Sequence, residues 1–234
     1  SQKLLRLHLY HLISTFSPHN EKIDFSIPAR GLTGEAYRGH IFWDELYILP
    51  LYFVHFPELA RSALMYRYRR LEEARNYAAE FGYQGAMFPW QSGSNGREET
   101  QRFHFNPVSG KWDPDYSSFQ RHVNLAIAYN ILQYHHYTQD EDFMLDYGAE
   151  MLIEICRLWS SKAKWNPEIR RYTIAQVMGP DEFHEHGPGS DGGGLKDNAY
   201  TNVMTAWMMK QTLAWLDGLA DEKRTPLLAA LQLT

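Results

Sequence analysis

The sequence predicts an all-α domain in which helices are joined by long, elaborated loops. Three observations carry this. Apolar residues recur at helical spacing in one segment after another. The best extended segment, 169–177, alternates only partially, so at most short β segments are expected. Between the helices lie Gly- and Pro-rich stretches too long to be plain connectors. Successive helices of this kind build a layered array or a helical barrel.

The elements follow in order. Residues 3–15 carry a leucine-rich stripe (Leu4, Leu5, Leu9, Leu12) that Pro18 ends. Residues 44–54 are almost wholly apolar and predict a buried helix, kinked or started late by Pro50. Residues 58–79 predict one long helix with a charged, solvated face. Residues 82–117 contain Gly82, Gly85, Pro89, Gly93, Gly96, Pro107, Gly110 and Pro114, which breaks any helix. Long ordered loops of this kind usually carry function. Helices are predicted again over 118–137 and 141–162, the second with Asp140 as its N-cap. After 169–177 comes a loop from Met178 to Gly194, then a helix over 197–216, then a last helix started by Pro226.

Composition narrows the function classes. The chain has 234 residues, 44% hydrophobic and 22% charged, so it can bury a full core and a disordered chain is excluded. A net charge of −5 does not fit a basic nucleic-acid binder. No apolar run reaches the length of a membrane span. The lone cysteine, Cys156, excludes an intrachain disulfide, favours a reducing cytoplasm and sits among apolar neighbours as an inert buried thiol. Aromatic residues reach 15%; ring faces fill cores and also stack on the C–H faces of sugars.

Four motifs compete for chemistry. Gly187-Pro188-Gly189-Ser190-Asp191-Gly192 spells a dinucleotide fingerprint, but no strand closes directly onto it and no helix opens from it, so it reads as a mobile loop able to act as a lid. The histidines at 135, 136, 184 and 186 lack the spacing of a zinc set, and no metal is expected. Asp181 and Glu182 follow Gly179-Pro180; consecutive carboxylates in extended backbone point opposite ways, so one can face a substrate, the alternative being an exposed acidic loop. Phe42-Trp43-Asp44 and Phe88-Pro89-Trp90-Gln91 pair an indole with a carboxylate or amide. That is what a sugar pocket needs, and equally what a core Trp beside a helix-capping Asp looks like.

The segments Gly39–Asp44, Gly85–Ser92, Gln120–Asn124, Val177–His184 and Asp197–Asn202, in this order, resemble glycoside hydrolase family 65. That family includes maltose, trehalose, kojibiose and nigerose phosphorylases and some hydrolases. The resemblance covers nearly the whole chain and implies an (α/α)6-barrel catalytic domain, here a single partial one over 1–234, with the N-terminal β-sandwich and the later part of the barrel lying outside it. It implies Glu182 as general acid, Trp43 and Asp44 as the glucosyl subsite, and Trp90 and Gln91 near the scissile bond and acceptor sugar. Many relatives carry Glu where this chain has Gln91.

The implied activity is inverting phosphorolysis of an α-glucosidic disaccharide to β-glucose 1-phosphate and a sugar. Its partners would be the disaccharide and inorganic phosphate as co-substrate, with no cofactor, no metal, no nucleic acid and no membrane, and with a homodimer for the full-length enzyme in the cytoplasm. A hydrolase on the same fold, or a non-catalytic carbohydrate-binding helical domain, stands beside it. The chain alone is expected not to perform phosphorolysis, and its helix at Tyr200–Trp207 is expected to leave apolar faces uncovered.

Overall fold

A computed structural model describes residues 1–32, 34, 36–181, 184–187 and 193–233. Its hub is α5 (Val123–Thr138), which is apolar nearly all round and buries Val123, Leu125, Ala126, Ile127, Ala128, Ile131 and Tyr134. Helices α2 (Glu45–His55), α3 (Pro57–Tyr68), α7 (Ala149–Lys162) and α8 (Ala199–Gly218) all pack on it. α1 (Gln2–Thr15), α4 (Leu71–Glu80) and α9 (Asp221–Ala230) complete the array. Among the described residues the helices form layers around α5 and do not close into a barrel, as a partial helical catalytic domain should. Within Tyr200–Trp207 of α8 Val203 is exposed, whereas Tyr200 and Trp207 are half-buried.

The predicted 141–162 helix is present, with its N-cap: Asp140 accepts from the Phe143 amide at 2.9 Å. It runs from α6 (Glu141–Phe143) through a π-helical segment, Met144–Gly148, into α7. Pro50 stands inside α2, so the helix is not delayed to begin after it; with no amide hydrogen, the proline leaves the Leu46 carbonyl without its helical donor.

Two expectations need correction. The segment 58–79 is two helices, α3 and α4, broken at Arg69–Arg70. The cause is the Arg70 guanidinium, which turns away to pair with Asp24 (2.9 and 3.1 Å), to donate to the Ser94 carbonyl and to lie 3.6 Å over the Tyr66 ring. Pro226 does not open the last helix. α9 begins at Asp221, where Asp221 and Glu222 favour a helix N-terminus, and the proline falls in its second turn. The 82–117 stretch breaks the helical pattern as expected and holds a short antiparallel hairpin of β1 (Phe103–Asn106) and β2 (Lys111–Pro114).

A second hairpin joins β3 (Lys164–Asn166) to β4 (Arg171–Thr173), so only the middle of the predicted 169–177 extended segment is strand. Both turns start with an asparagine whose side-chain oxygen accepts amides two and three residues on, Val108 and Ser109 in one, Glu168 and Ile169 in the other. No described helix is long and apolar enough to cross a membrane.

Candidate functional site

The start of α2 is mounted on a buried ion pair. Arg67 of α3 is 1% exposed; its Nε and Nη2 donate to Glu45 Oε2 at 3.1 and 2.8 Å, and Nη2 also donates to the Phe42 carbonyl at 2.6 Å. Glu45 accepts a further bond from the Ser26 hydroxyl. One residue before Glu45, Asp44 occupies the N-cap position of α2, yet its side chain caps nothing. Its half-buried carboxylate lines a cleft instead. Burial raises its pKa, and the neighbouring Glu45 charge adds to the rise. This answers the alternative of a mere capping Asp.

Trp90 and Gln91 are brought to the same place by a different fixture. Glu98 accepts from the backbone amides of Trp90 (2.8 Å), Gln91 (3.0 Å) and Thr100 (3.3 Å), and from the Tyr77 hydroxyl at 3.4 Å. Burial raises its pKa, while the amides and Arg121 oppose the rise. Asn124, fully buried at the start of α5, holds the Phe88 amide at 2.7 Å and the Phe88 carbonyl at 3.3 Å. Ile41 and Ser92 exchange amide–carbonyl bonds of 3.1 and 2.9 Å, which ties the two segments together.

The result is an aromatic wall. The Trp43 and Trp90 rings lie 5.9 Å apart, and Phe42 meets Trp90 edge-on at 5.5 Å. Behind both indoles sits His122, 1% exposed, 4.6 Å from Trp43 and 5.1 Å from Trp90. Neither of its ring nitrogens has a well-formed hydrogen bond among the described residues. Burial pushes its pKa down to about 4, with the Met178 backbone offsetting a little of that, so the imidazole is neutral at physiological pH.

The cleft in front of this wall has a volume of about 390 Å³, within the range of small-molecule sites. Tyr37, Phe42, Trp43, Asp44 and Trp90 line it together with Ser117, Gln120, Met178, Pro180 and Glu185. A second chamber of about 440 Å³ shares Tyr37, Phe42, Trp90 and Ser117 with the first and adds Gln91, Arg38, Glu99, Gln101 and Asp115. A larger groove of about 720 Å³ beside β1–β2 holds none of the sequence-predicted site residues.

The 177–180 segment reaches the cleft because Val177 bonds to Leu195 and Met178 donates to the Phe119 carbonyl at 2.8 Å. Gly179 is required there, since a Cβ would lie 2.1 Å from His184 Nδ1. Asp181 is exposed, and Glu185 lines the cleft. Glu182, the predicted acid, lies outside the described residues, as do residues 188–192 of the glycine-rich loop.

Four of the five predicted residues therefore converge: Trp43, Asp44 and Trp90 on one chamber, Trp90 and Gln91 on the next. Sequence reasoning assigned no role to Glu98, Glu45, Arg67, His122 or His40. A partial signal existed for Glu45 alone, an acidic residue opening the almost wholly apolar α2; Arg67, in a helix with several charges, carried none. Among the described residues no three His, Cys, Asp or Glu side chains form a metal-binding group. Cys156 is half-buried rather than sealed in the core, and burial pushes its thiol up to about 11.

Comparison with known proteins adds three findings. Residues 6–233 match the model of the glycosyl hydrolase family 65 central catalytic domain. The trehalose 6-phosphate phosphorylase of Lactococcus lactis is 46% identical over 94% of this chain and 28% of its own length. A kojibiose phosphorylase of Caldanaerobacter subterraneus is 43% identical over 89% of this chain and 26% of its own, and an uncharacterized glycosyl hydrolase of Mycobacterium tuberculosis is 50% identical over 99% and 18%. A solved structure of a candidate kojibiose phosphorylase from the human microbiome superposes with a TM-score of 0.71 at 31% identity, covering 90% of this chain and 25% of that one. The chain thus spans less than a third of the length of each of these relatives.

Proposed function

The chain belongs to glycosyl hydrolase family 65, and from that footing we propose that it carries the glucosyl-binding part of an inverting phosphorylase acting on α-glucosidic disaccharides. The observation that carries this reading is the paired chamber: Trp43 and Asp44 in one, Gln91 in the other, Trp90 common to both. Two sugar rings joined by one glycosidic bond need such a pair. The first chamber takes the glucosyl unit, with an indole face against its C–H face and the Asp44 carboxylate accepting from hydroxyls. The second takes the acceptor sugar. The names of the phosphorylase relatives support α-glucosides as the substrate class.

In the reaction Glu182 protonates the glycosidic oxygen as the bond to the anomeric carbon breaks, and phosphate attacks that carbon from the opposite face. One acid suffices, because phosphate already carries the charge that water would need a base to acquire. Binding of the glucosyl ring through Trp43 and Asp44, away from the breaking bond, stabilises the distorted ring of the oxocarbenium-like transition state.

The test is made in the full-length protein with kojibiose, nigerose, maltose, trehalose and trehalose 6-phosphate, with and without phosphate. Phosphate-dependent release of β-glucose 1-phosphate from one of them is expected. Glu182→Gln should lower turnover by at least ~100-fold, the lower end for a general acid, with substrate binding largely retained. Phosphate-independent release of free glucose would replace phosphorolysis by hydrolysis, and near wild-type turnover in the variant would remove Glu182 from the role.

A further inference from the structure

Gln91 raises a question that the paired chambers do not answer: an amide has a donor end and an acceptor end, and a sugar hydroxyl can use either. The structure contains the answer in a neighbour. Gln91 Nε2 lies 2.7 Å from Nδ1 of His40. An amide nitrogen only donates, so Nδ1 must be the acceptor, and the imidazole is uncharged with its hydrogen on Nε2. One of the two Nε2 hydrogens is bound to His40, which holds the amide in a single orientation; Oε1 is then its acceptor for the chamber that Gln91 lines, and among the described residues it accepts no hydrogen bond.

Both residues are fixed at the backbone. The Gln91 amide donates to Glu98 and its carbonyl accepts from the Glu99 amide at 3.0 Å; His40 donates to the Tyr37 carbonyl at 2.9 Å. Only the side-chain amide is left to turn. We propose that His40 is a positioning residue for acceptor recognition: it fixes the Gln91 amide so that Oε1, and not Nε2, meets a hydroxyl of the acceptor sugar. The neutral amide then does the accepting that a carboxylate would do at this position, without its charge. The inference rests on the chamber assignment above.

A consequence separates this from packing. The charged groups that face His40 are Arg38, two residues before it in the chain, and Glu99, and they act in opposite senses. Burial and Arg38 hold the ring neutral to lower pH than an ordinary histidine. When acid finally protonates Nδ1, it becomes a donor. The Gln91 amide must then turn its oxygen to His40 and present Nε2 to the chamber.

The experiment runs the reaction toward synthesis in the full-length protein, with β-glucose 1-phosphate as donor and the best acceptor sugar, and measures both KM values from pH 5 to 8. In the wild type the acceptor KM should rise as pH falls, and the donor KM should not follow it. His40→Phe should raise the acceptor KM about tenfold, the effect of one hydrogen bond, and leave the donor KM alone. His40→Asn, whose Oδ1 sits near the place of Nδ1, should restore the acceptor KM and abolish its pH dependence. Gln91→Glu should reverse the slope, because an imidazolium pairs with a carboxylate. Equal rises in both KM values for His40→Phe, or wild-type pH dependence in His40→Asn, would overturn the proposal. If the wild type turns over no α-glucoside in either direction, the proposed function fails. The orientation is then decided by ¹⁵N NMR of the His40 tautomer near neutral pH: a bare Nδ1 supports it and a protonated Nδ1 overturns it.

Discussion

Removing the Arg67 guanidinium should be the most damaging single change to the mount of the glucosyl chamber. Arg67→Met keeps much of the apolar stem but strips three donated bonds, two to Glu45 and one to the Phe42 carbonyl. Glu45, 3% exposed, would keep only the Ser26 hydroxyl. Breaking a buried pair by removing one partner costs about 3–5 kcal/mol, because the surviving charge is stranded in low dielectric. For a chain of this size each kcal/mol lowers the melting temperature by about 2–4 °C, so a fall of roughly 6–20 °C is expected. Replacing both partners, Glu45→Met with Arg67→Met, removes the stranded charge and should recover most of the loss. The assay is thermal unfolding at one scan rate for wild type, the single variant and the double variant, with glucose affinity measured alongside. A single variant that melts within about 2 °C of wild type would refute the reasoning, since it predicts at least three times that. So would a double variant as unstable as the single one.

Two further outcomes follow from the same site. The folded pKa of His122, about 4, lies below its ordinary value of 6.5, so its contribution is complete above pH 6.5 and is lost as pH falls toward 4. At about 1.4 kcal/mol per pH unit that loss is roughly 3 kcal/mol, and His122→Phe should flatten this part of the stability–pH curve; an unchanged slope in urea unfolding series would assign the acid limb elsewhere. Glu98→Gln keeps the shape but puts an NH2 donor where one carboxylate oxygen accepts, so at least one backbone amide loses its acceptor, which should cost about 2 kcal/mol of stability and weaken both donor and acceptor binding; unaltered KM values would show that Trp90 and Gln91 are held by other means.

Much of the helical frame was legible because it obeys local rules. The apolar run of α5, the Asp140 cap and the periodicity of α7 each announce themselves within a dozen residues. The break between α3 and α4 does not, because its cause is a bond from Arg70 to Asp24 and to the Ser94 carbonyl, partners far away in sequence. The β1–β2 hairpin was partly legible: Asn106-Pro107-Val108-Ser109-Gly110 has turn chemistry, with Gly110 at φ +68°, but four-residue strands of mixed polarity carry little alternation. In the site, local patterning left Trp43–Asp44 and Trp90–Gln91 poised between pocket and core, and family resemblance was needed to choose. Glu98 was invisible to both readings, since its work is to collect backbone amides and no motif records that.

The way the two chambers are mounted bears on how such a site can change its substrate. The chamber proposed for the glucosyl unit hangs on α2, through Arg67 and Glu45. The acceptor side hangs on the 90–100 loop, through Glu98 and the His40–Gln91 pair. Among the described residues only Trp90, Phe42, Tyr37 and Ser117 belong to both. A substitution at Gln91, Glu99 or Gln101 therefore alters the acceptor chamber without touching the ion pair that sets Trp43 and Asp44. The chambers are joined through Phe42, Trp90 and the Ile41–Ser92 bonds, so coupling is expected at those shared positions and is small for residues that touch neither. On the proposed assignment, a glucosyl grip held by the ion pair beside an acceptor chamber that can be altered at Gln91, Glu99 or Gln101 is then the behaviour this geometry favours.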